Sequence, residues 1–304
     1  MKIIDLEESS DRPKLNWYPG HMAKASREIK AKIKLVDIIF EIRDARAPKT
    51  SGNPELDQIL SQKSRLIILN KSNFVEASDL IRWEAWFKKQ ELNFIFVNVM
   101  DKIALKKVTK LAKKIIQQKN LKSNPHSSDQ KKEKKKLKIM VIGLPNTGKS
   151  TVINQLAGRN ATKVAPSPGQ TQHQLWISID NKENKDLELM DTPGVMPPHV
   201  SSETQGIWLS AIHAMPDVVI GEELTATYVV KYFLKNKSLY FKERFQLENF
   251  DGPVEAVMEK IAVLRGCIKE KGRPDLERVY KLILLEFRKG DLGKCCFEMP
   301  PLTK

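Results

Sequence analysis

The stretch that decides the fold is GLPNTGKS at Gly143–Ser150, which directly follows the apolar run KIMVI at residues 138–142. It fits the pattern GxxxxGK[ST]. The run before it has the length and the Ile and Val content of a buried β-strand, and the sequence after it predicts a helix. A strand, this turn and a helix in succession form a P-loop, whose glycines let backbone amides point at phosphate groups. The segment therefore predicts a nucleotide-binding α/β domain.

Two motifs provide the side chains expected around the phosphates. In the P-loop, Lys149 is expected to reach the β- and γ-phosphates, and the Ser150 hydroxyl to ligate Mg²⁺. Further along, DTPG at Asp191–Gly194 follows the apolar run LELM. A carboxylate at a strand end can hold Mg²⁺, and a glycine lets the backbone approach a γ-phosphate. DTPG after a P-loop indicates a GTPase.

Between these two motifs lies PGQT at residues 168–171. Thr171 is expected to be a switch threonine that closes on Mg²⁺. The alternative is a simple turn before the next strand.

The guanine-reading motif NKxD is missing downstream of DTPG, and a related motif lies upstream instead. NKSN at Asn70–Asn73 follows the apolar run RLIIL. After the run FIFV, Asn98 and Val99 occupy the place where a backbone amide normally meets the guanine O6. The base-reading motif thus precedes the phosphate-binding motif, which predicts a circular permutation. Such a chain can keep the same site, because packing rather than chain order makes it.

Short apolar runs alternate with helical stretches on both sides of the P-loop, which is typical of a parallel sheet. The fold class is therefore α/β, a circularly permuted P-loop GTPase domain with a doubly wound, mostly parallel sheet over 1–204. An all-helical C-terminal domain is expected over 205–304. A lysine-rich polar stretch at about 117–137 indicates an exposed linker, or an auxiliary contact to a phosphate backbone. The expected strands and helices are strands at 36–42, 65–69, 94–99, 138–142, 174–180 and 186–190, and helices at 78–90, 203–214, 225–236, 253–270 and 274–289.

These motifs together resemble the circularly permuted GTPases of the YlqF/RbgA type. The resemblance also includes WYPGHM at Trp17–Met22 and DAR at Asp44–Arg46, and it extends to the segment FEMP at Phe297–Pro300. It covers nearly the whole chain. It implies a GTPase that cycles between GTP and GDP, binds the large ribosomal subunit and promotes its late assembly. The C-terminal helical domain would bind ribosomal RNA.

One position departs from the family pattern, because NKxD ends in aspartate and the residue here is Asn73. An aspartate accepts hydrogen bonds from the guanine N1–H and 2-amino groups, whereas an asparagine amide offers one acceptor and one donor. Mismatched polar groups in a site can lower discrimination by as much as about 10⁴-fold. We therefore expect weakened guanine selectivity, offset by backbone contacts and the fit of the rest of the site.

Hydrolysis needs a group that orients water, and Val195, directly after DTPG, cannot do so. Asn146 matches the residue that helps to bind K⁺ in related potassium-dependent GTPases, although it could simply shape the loop. In the resembling family the histidine of the N-terminal motif, here His21, is proposed to swing toward the γ-phosphate. His21 could equally cap or pin a loop.

The predicted site falls into three sets. The nucleotide-binding residues are Asn70, Lys71, Asn73, Asn98, Val99, Pro145, Asn146, Thr147, Gly148, Lys149, Ser150, Thr151, Thr171, Asp191 and Gly194. The catalytic residues are His21, Asn146 and Lys149, and the Mg²⁺ ligands are Ser150, Thr171 and Asp191.

Composition limits the kinds of partner and compartment that are expected for the protein. The 304 residues carry a formal charge of +15 and 41% hydrophobic residues, enough for a real core and suited to a polyanionic partner. No apolar run reaches the ~18 residues of a membrane span. The 3 cysteines contain no CxxC pair, so reduced thiols are expected rather than a disulfide framework or zinc site. The first ten residues lack an apolar signal core and an Arg-rich amphipathic pattern, so the bacterial cytoplasm is expected rather than the mitochondrial matrix. A monomer is expected.

Basic residues cluster in two segments, where they are candidates for RNA backbone contacts. They are Lys24, Arg27, Lys30, Lys32, Lys34, Arg43 and Arg46 in one segment, and Arg265, Lys269, Lys271, Arg273, Arg278 and Arg288 in the other. Three functions remain open on the sequence: a GTPase switch on the large ribosomal subunit, a switch acting on another RNA or protein complex, and a nucleotide-binding scaffold with negligible hydrolysis.

Overall fold

A computed structural model describes residues 20–54, 57, 60, 63–123, 136–158, 161, 175–179, 184–197, 200–249 and 251–301. These residues form two compact units. The sheet unit contains the described residues of 20–197 together with 296–301, and the helical unit contains those of 200–295.

The sheet unit is built on six strands in the order β3-β2-β1-β4-β6-β5. All neighbours are parallel except β5, which is antiparallel to β6. Strand β1 is buried along its whole length, as expected where helices cover both faces of a parallel sheet. The strands are β1 (Ile38–Asp44), β2 (Ser64–Asn70), β3 (Phe94–Phe96), β4 (Leu137–Gly143), β5 (Leu175–Ser178) and β6 (Leu187–Asp191). The predicted fold class is confirmed.

Amphipathic helices cover this sheet. In α1, Met22, Ala25 and Ile29 are buried, whereas Lys24 and Arg27 on the other face are exposed, which is the spacing of a surface helix. In α2, Trp83 and Phe87 lie four residues apart and are 1% and 0% exposed, so they form one buried face, as helical spacing predicts. The described helices of this unit are α1 (Gly20–Lys32), α2 (Ala77–Lys89), α3 (Lys102–Ser123) and α4 (Lys149–Ala157).

The strand register brings the predicted site motifs to one edge of the sheet. Asp44 at the end of β1 pairs with Asn70 at the end of β2, and Ile42 pairs with Gly143 at the start of the P-loop. Asp191 at the end of β6 pairs with Val141 on the next strand. Because ligands of such sheets bind at the carboxyl ends of the strands, this edge is the expected place for a nucleotide.

The helical unit consists of short helices, and side chains cap the N-termini of three of them. The hydroxyl of Ser202 accepts a hydrogen bond from the Gln205 amide, and the Asp275 carboxylate accepts one from the Arg278 amide. The helices are α5 (Glu203–Ala211), α6 (Asp217–Ile220), α7 (Glu222–Lys235), α8 (Leu239–Arg244), α9 (Val254–Leu264) and α10 (Leu276–Lys289). None of the helices in the described part of the chain is long and apolar enough to cross a membrane.

A polar network ties α10 to the turn between α5 and α6. Arg288 donates hydrogen bonds to the Ala211 and Ser210 carbonyls and to the Asp217 carboxylate. Burial alone would raise the pKa of Asp217, but the nearby His213 ring and the hydrogen-bonded Arg288 guanidinium lower it to about 2. The ionised carboxylate therefore stabilises the folded helical unit.

Several predicted boundaries differ from the structure. Strand β1 runs to Asp44 rather than to residue 42, because its last two charged side chains are paired rather than solvated. Helix α3 continues to Ser123, so the start of the predicted linker at 117 is wrong. Its sequence QQKNLKS contains good helix formers. Residues 124–135 of the linker lie outside the described residues. The predicted helix 253–270 ends at Leu264, since Gly266 adopts φ +64°.

The division between units also differs from the predicted boundary at 204/205, which falls inside the first turn of α5. The units divide at 198/199, before the capping residue Ser202, and the chain returns to the sheet unit at Cys296. The last described residues therefore belong to the sheet unit and not to the helical unit.

Candidate nucleotide-binding site

The P-loop connects β4 to α4 and is shaped by hydrogen bonds of its own side chains. The Thr147 hydroxyl and the Lys149 ammonium both donate to the Leu144 carbonyl, over 2.9 and 2.8 Å. Gly148 has φ +104°, and a Cβ there would lie 2.3 Å from Asn70 Nδ2. Only glycine allows this close approach without strain. The DTPG segment lies against the same loop, because a Cβ on Gly194 would meet the Pro145 backbone nitrogen at 2.8 Å.

Lys149 and Asp191 form a buried pair of opposite charges at the phosphate side of the site. Burial lowers the pKa of Lys149 to about 8, against the opposing effect of Asp191. Burial raises the pKa of Asp191 to about 6, although Lys149 and the Thr192 backbone oppose this shift. Asp191 Oδ1 is buried and has no hydrogen-bond partner among the described residues. Such an orphaned acceptor is costly unless a cation or a donor completes it, so the pair is suited to binding a charged ligand.

Asn70 joins the base-reading loops to the P-loop. Its Nδ2 donates to the Thr147 carbonyl over 2.8 Å, and its Oδ1 accepts from the Lys71 and Val99 amides over 2.7 and 3.2 Å. The side chain is 2% exposed. One side chain thus fixes three loops that follow different strands.

Lys71 is held by a second network that links the base-reading loop to β1. Its Nζ lies 2.9 Å from Asp44 Oδ2 and donates to the Asn146 carbonyl over 3.1 Å. Arg46 contacts both oxygens of Asp44, over 2.9 and 2.8 Å. Burial would raise the pKa of Asp44, but Arg46 and Lys71 lower it far below its usual range. The sequence marks Asp44 and Arg46 only as part of the DAR motif and does not indicate that they hold Lys71 in place.

The remaining base-reading residues lie beside this network. Asn73 is exposed at the 3₁₀ turn Ser72–Phe74, which begins where the chain leaves β2. Asn98 is half-buried and its Oδ1 accepts from the Met100 amide over 3.1 Å. The structure thus connects Asn70, Lys71 and Val99 of the base-reading loops with Asn146, Thr147 and Gly148 of the P-loop, whereas Thr171 lies outside the described residues. Ser150 and Thr151 are half-buried in the first turn of α4.

Two predicted residues lie wholly or partly outside the described part of the chain. Thr171, with the rest of PGQT, lies outside the described residues, as do Trp17, Tyr18 and Pro19 of the N-terminal motif. His21 lies in the first turn of α1, but its side chain is outside the described set.

Val195, where a catalytic glutamine would otherwise stand, is 2% exposed, and its carbonyl accepts a hydrogen bond from Asn53. The sequence does not indicate that Asn53 contributes to the site, because its partner Val195 lies far along the chain.

Three predicted RNA contacts are wrong. Arg288 is engaged by the Asp217 carboxylate and by the Ser210 and Ala211 carbonyls of the helical unit, and the other two are buried in the sheet unit. Arg43 and Arg46 are 6% and 1% exposed. Arg43 donates to Glu41 over 2.7 Å and to the Pro48 carbonyl, and Arg46 is bound to Asp44. Because their guanidinium groups are engaged by buried carboxylates, neither is available to a nucleic acid.

Strand β4, the P-loop and α4 form a phosphate-binding unit with a buried lysine and a buried carboxylate. The base-reading loops beside this unit come earlier in the chain. This arrangement defines a circularly permuted P-loop GTPase. The family model described as "50S ribosome-binding GTPase" matches residues 138–240, from the P-loop strand onward. The base-reading strands β2 and β3 precede that match, as the permutation requires.

Comparison of the whole chain identifies the family. The chain is 33% identical over 286 residues to the "Ribosome biogenesis GTPase A" of Bacillus cereus, which covers 94% of each chain. It is 31% identical to the "Mitochondrial ribosome-associated GTPase 1" of Ictalurus punctatus, covering 96% of this chain and 95% of that one. The crystal structure of GNP-bound YlqF from T. maritima matches with a TM-score of 0.61 and 27% identity, over 91% of this chain and 98% of that chain. The chain belongs to the ribosome biogenesis GTPase A family.

Proposed function

We propose that this GTPase binds the large ribosomal subunit and promotes its late assembly while it cycles between GTP and GDP. The observation that carries the proposal is the full-length match, which covers 94% of both chains and so includes the helical unit as well as the sheet unit. A GTPase acting on an unrelated partner would share the P-loop with these relatives but would have no reason to share the helical unit.

Exposed basic side chains support an RNA partner. They lie in α1, in the 3₁₀ turn after it, and around the connection between α9 and α10, and the formal charge of the chain is +15. Phosphate contacts of this kind weaken steeply with salt, because bound cations are released from the RNA. The exposed set is Lys24, Arg27, Lys30, Lys34, Lys269, Lys271, Arg273 and Arg278.

GTPases of this class use Mg²⁺, and the site residues fit such an ion. Asp191 Oδ1 is a buried oxygen without a hydrogen-bond partner among the described residues, which is what a metal-facing ligand requires. Ser150, Thr171 and Asp191 would hold the ion directly or through water. Bound there, Mg²⁺ would neutralise charge on the β- and γ-phosphates. K⁺ near Asn146 would add a second positive charge in the place of an arginine finger.

The protein's own groups suggest how hydrolysis would be assisted. The buried Lys149 would stabilise charge on the transferred phosphate, because a charge in a desolvated site acts strongly. Gly194 would sense the γ-phosphate through its backbone. Since Val195 cannot orient water, His21 would orient the attacking water or accept its proton when the particle is bound. We therefore expect intrinsic GTP turnover to be low and the ribosomal particle to stimulate it.

Co-sedimentation with purified large subunits tests the proposal. We expect a non-hydrolysable GTP analogue to increase binding over GDP, and added subunits to raise GTP turnover. A variant with Lys269, Lys271 and Arg273 changed to glutamate should bind subunits weakly yet bind GDP normally, whereas the surface variant Glu259→Lys serves as the control. Nucleotide-independent binding would favour the alternative, a switch acting on another RNA or protein complex. Absence of turnover with subunits would favour a scaffold.

We further propose that the protein acts as a monomer in the bacterial cytoplasm.

A further inference from the structure

The chain returns to the sheet unit at its end, where residues 296–299, here called the tail segment, pack beside the nucleotide site. Phe297 is 1% exposed, and its amide donates to the Arg46 carbonyl over 2.8 Å. Trp83 Nε1 donates to the Glu298 carbonyl over 3.2 Å. The tail segment thus contacts α2 and the loop that follows β1, both of which support the base-reading side.

Glu298 fixes this loop, residues 45–51, through its carboxylate. One oxygen accepts hydrogen bonds from the Lys49 and Thr50 amides, and the other accepts from the Thr50 hydroxyl over 2.7 Å. The side chain is buried, and burial raises its pKa against the effect of these donors. A buried carboxylate that serves three donors from one loop holds that loop in a single conformation.

The same loop carries the arginine that positions the base-reading lysine. Arg46 grips the Asp44 carboxylate, and Asp44 Oδ2 lies 2.9 Å from Lys71 Nζ. Lys71 Nζ in turn reaches the P-loop through the Asn146 carbonyl. A continuous series of hydrogen bonds and ion pairs therefore runs from the tail segment to the P-loop.

We infer that the tail segment is a built-in clamp on the base side of the nucleotide site, in which Glu298 is a positioning residue that acts through the 45–51 loop on Lys71. The inference rests on the guanine-nucleotide site of the proposed function. Residue 295 belongs to the helical unit and residue 296 to the sheet unit, so a partner bound to the helical unit is covalently connected to the clamp. Guanine-nucleotide affinity would then depend on whether the tail segment is docked.

Calorimetric titration of the full-length protein with Mg²⁺-GDP tests the clamp. Glu298→Ala should weaken GDP binding about tenfold, because three donors of the loop lose their acceptor. Glu298→Gln should stay within about threefold of wild type, since its amide oxygen can accept both backbone amides and its NH₂ can donate to Thr50. Glu259→Ala, the same substitution at an exposed position of α9, is the matched control and should have no effect.

Two further measurements separate positioning from general destabilisation. In a Lys71→Ala background, Glu298→Ala should add less than about twofold, because the two residues act in one series. Binding of Mg²⁺-pyrophosphate, which lacks the base, should be unchanged by Glu298→Ala. An equal loss of GDP affinity in both backgrounds, or an equal loss for pyrophosphate, would overturn the inference.

A milder variant covers the case in which Glu298→Ala does not fold. Thr50→Val removes one of the three hydrogen bonds and should weaken GDP binding by about threefold. Wild-type affinity in Thr50→Val would then overturn the clamp. If the wild-type protein itself bound no guanine nucleotide, the proposed function would fail together with the clamp, whereas normal wild-type binding with unaffected variants would remove the clamp alone.

Discussion

Asn70 offers the sharpest test of how the two halves of the nucleotide site are joined. Replacing it with alanine leaves the Thr147 carbonyl and the Lys71 and Val99 amides without their side-chain partner. At about 1 kcal/mol for each lost hydrogen bond, the free energy of unfolding should fall by about 3 kcal/mol. If half of this free energy must be spent on realigning the loops when GDP binds, GDP affinity should fall about tenfold.

Urea unfolding followed by tryptophan fluorescence measures the first quantity, and titration with Mg²⁺-GDP measures the second. Asn70→Asp distinguishes the contacts, because it keeps an acceptor for both amides but directs a carboxylate oxygen at the Thr147 carbonyl. It should unfold more readily than wild type and bind GDP weakly. The control is Asn236→Ala, which removes one exposed hydrogen bond to the Tyr232 carbonyl and should change stability by less than about 0.5 kcal/mol.

The reasoning would be refuted if Asn70→Ala unfolded at the wild-type urea concentration and bound GDP within twofold of wild type. That result would mean that the three loops hold their geometry by themselves. The 2% exposure of Asn70 makes this outcome unexpected, because water cannot replace the lost partner without opening the site.

Four other substitutions test separate parts of the site and fold. Asn73→Asp restores a two-acceptor carboxylate, so the preference for GTP over ATP should rise at least about 100-fold, and unchanged GTP and XTP affinities would contradict the weakened-selectivity hypothesis. His21→Ala should leave GDP binding intact while lowering subunit-stimulated turnover, and unaffected turnover would exclude the catalytic role. Turnover of wild type should be faster in K⁺ than in Na⁺, and Asn146→Ala should remove that difference if Asn146 helps to hold the cation. Asp217→Asn should lower the free energy of unfolding by about 1 kcal/mol at pH 7, because the folded pKa of about 2 lies below the ordinary value of an aspartate and solvent screens part of the interaction. Stability from a lowered carboxyl pKa is complete above the unfolded value and is lost as pH falls, so wild type and variant should converge in urea unfolding between about pH 4 and pH 2.

The features that could be predicted from sequence are those whose signal is local. The P-loop is a contiguous turn, and the strands beside it are continuous apolar runs because both faces of the sheet are covered. Trp83 and Phe87 could be assigned to a buried face because helical spacing alone places them together. The permutation was visible for the same reason, since each motif is short and only their order is unusual.

What could not be predicted depends on contacts between distant parts of the chain. Arg43 and Arg46 looked like solvent-facing cations, because a sequence does not show that Glu41 and Asp44 pair with them inside the sheet unit. Glu298 meets Lys49 and Thr50 across 249 and 248 residues, so no local pattern marks it as part of this unit. Polar side chains with buried partners are the group that composition and periodicity misread.

The permutation also determines where the two connections between the units leave the nucleotide site. The DTPG segment ends at Gly194, and helix α5 of the helical unit begins at Glu203, so the γ-phosphate side has a short covalent route into that unit. The second connection returns at Cys296 and reaches the base side through the 45–51 loop. In an unpermuted order, with the base-reading motif last, an appended helical unit would follow that motif and not DTPG. The permuted order instead places the helical unit between a segment expected to respond to the γ-phosphate and a segment that supports Lys71.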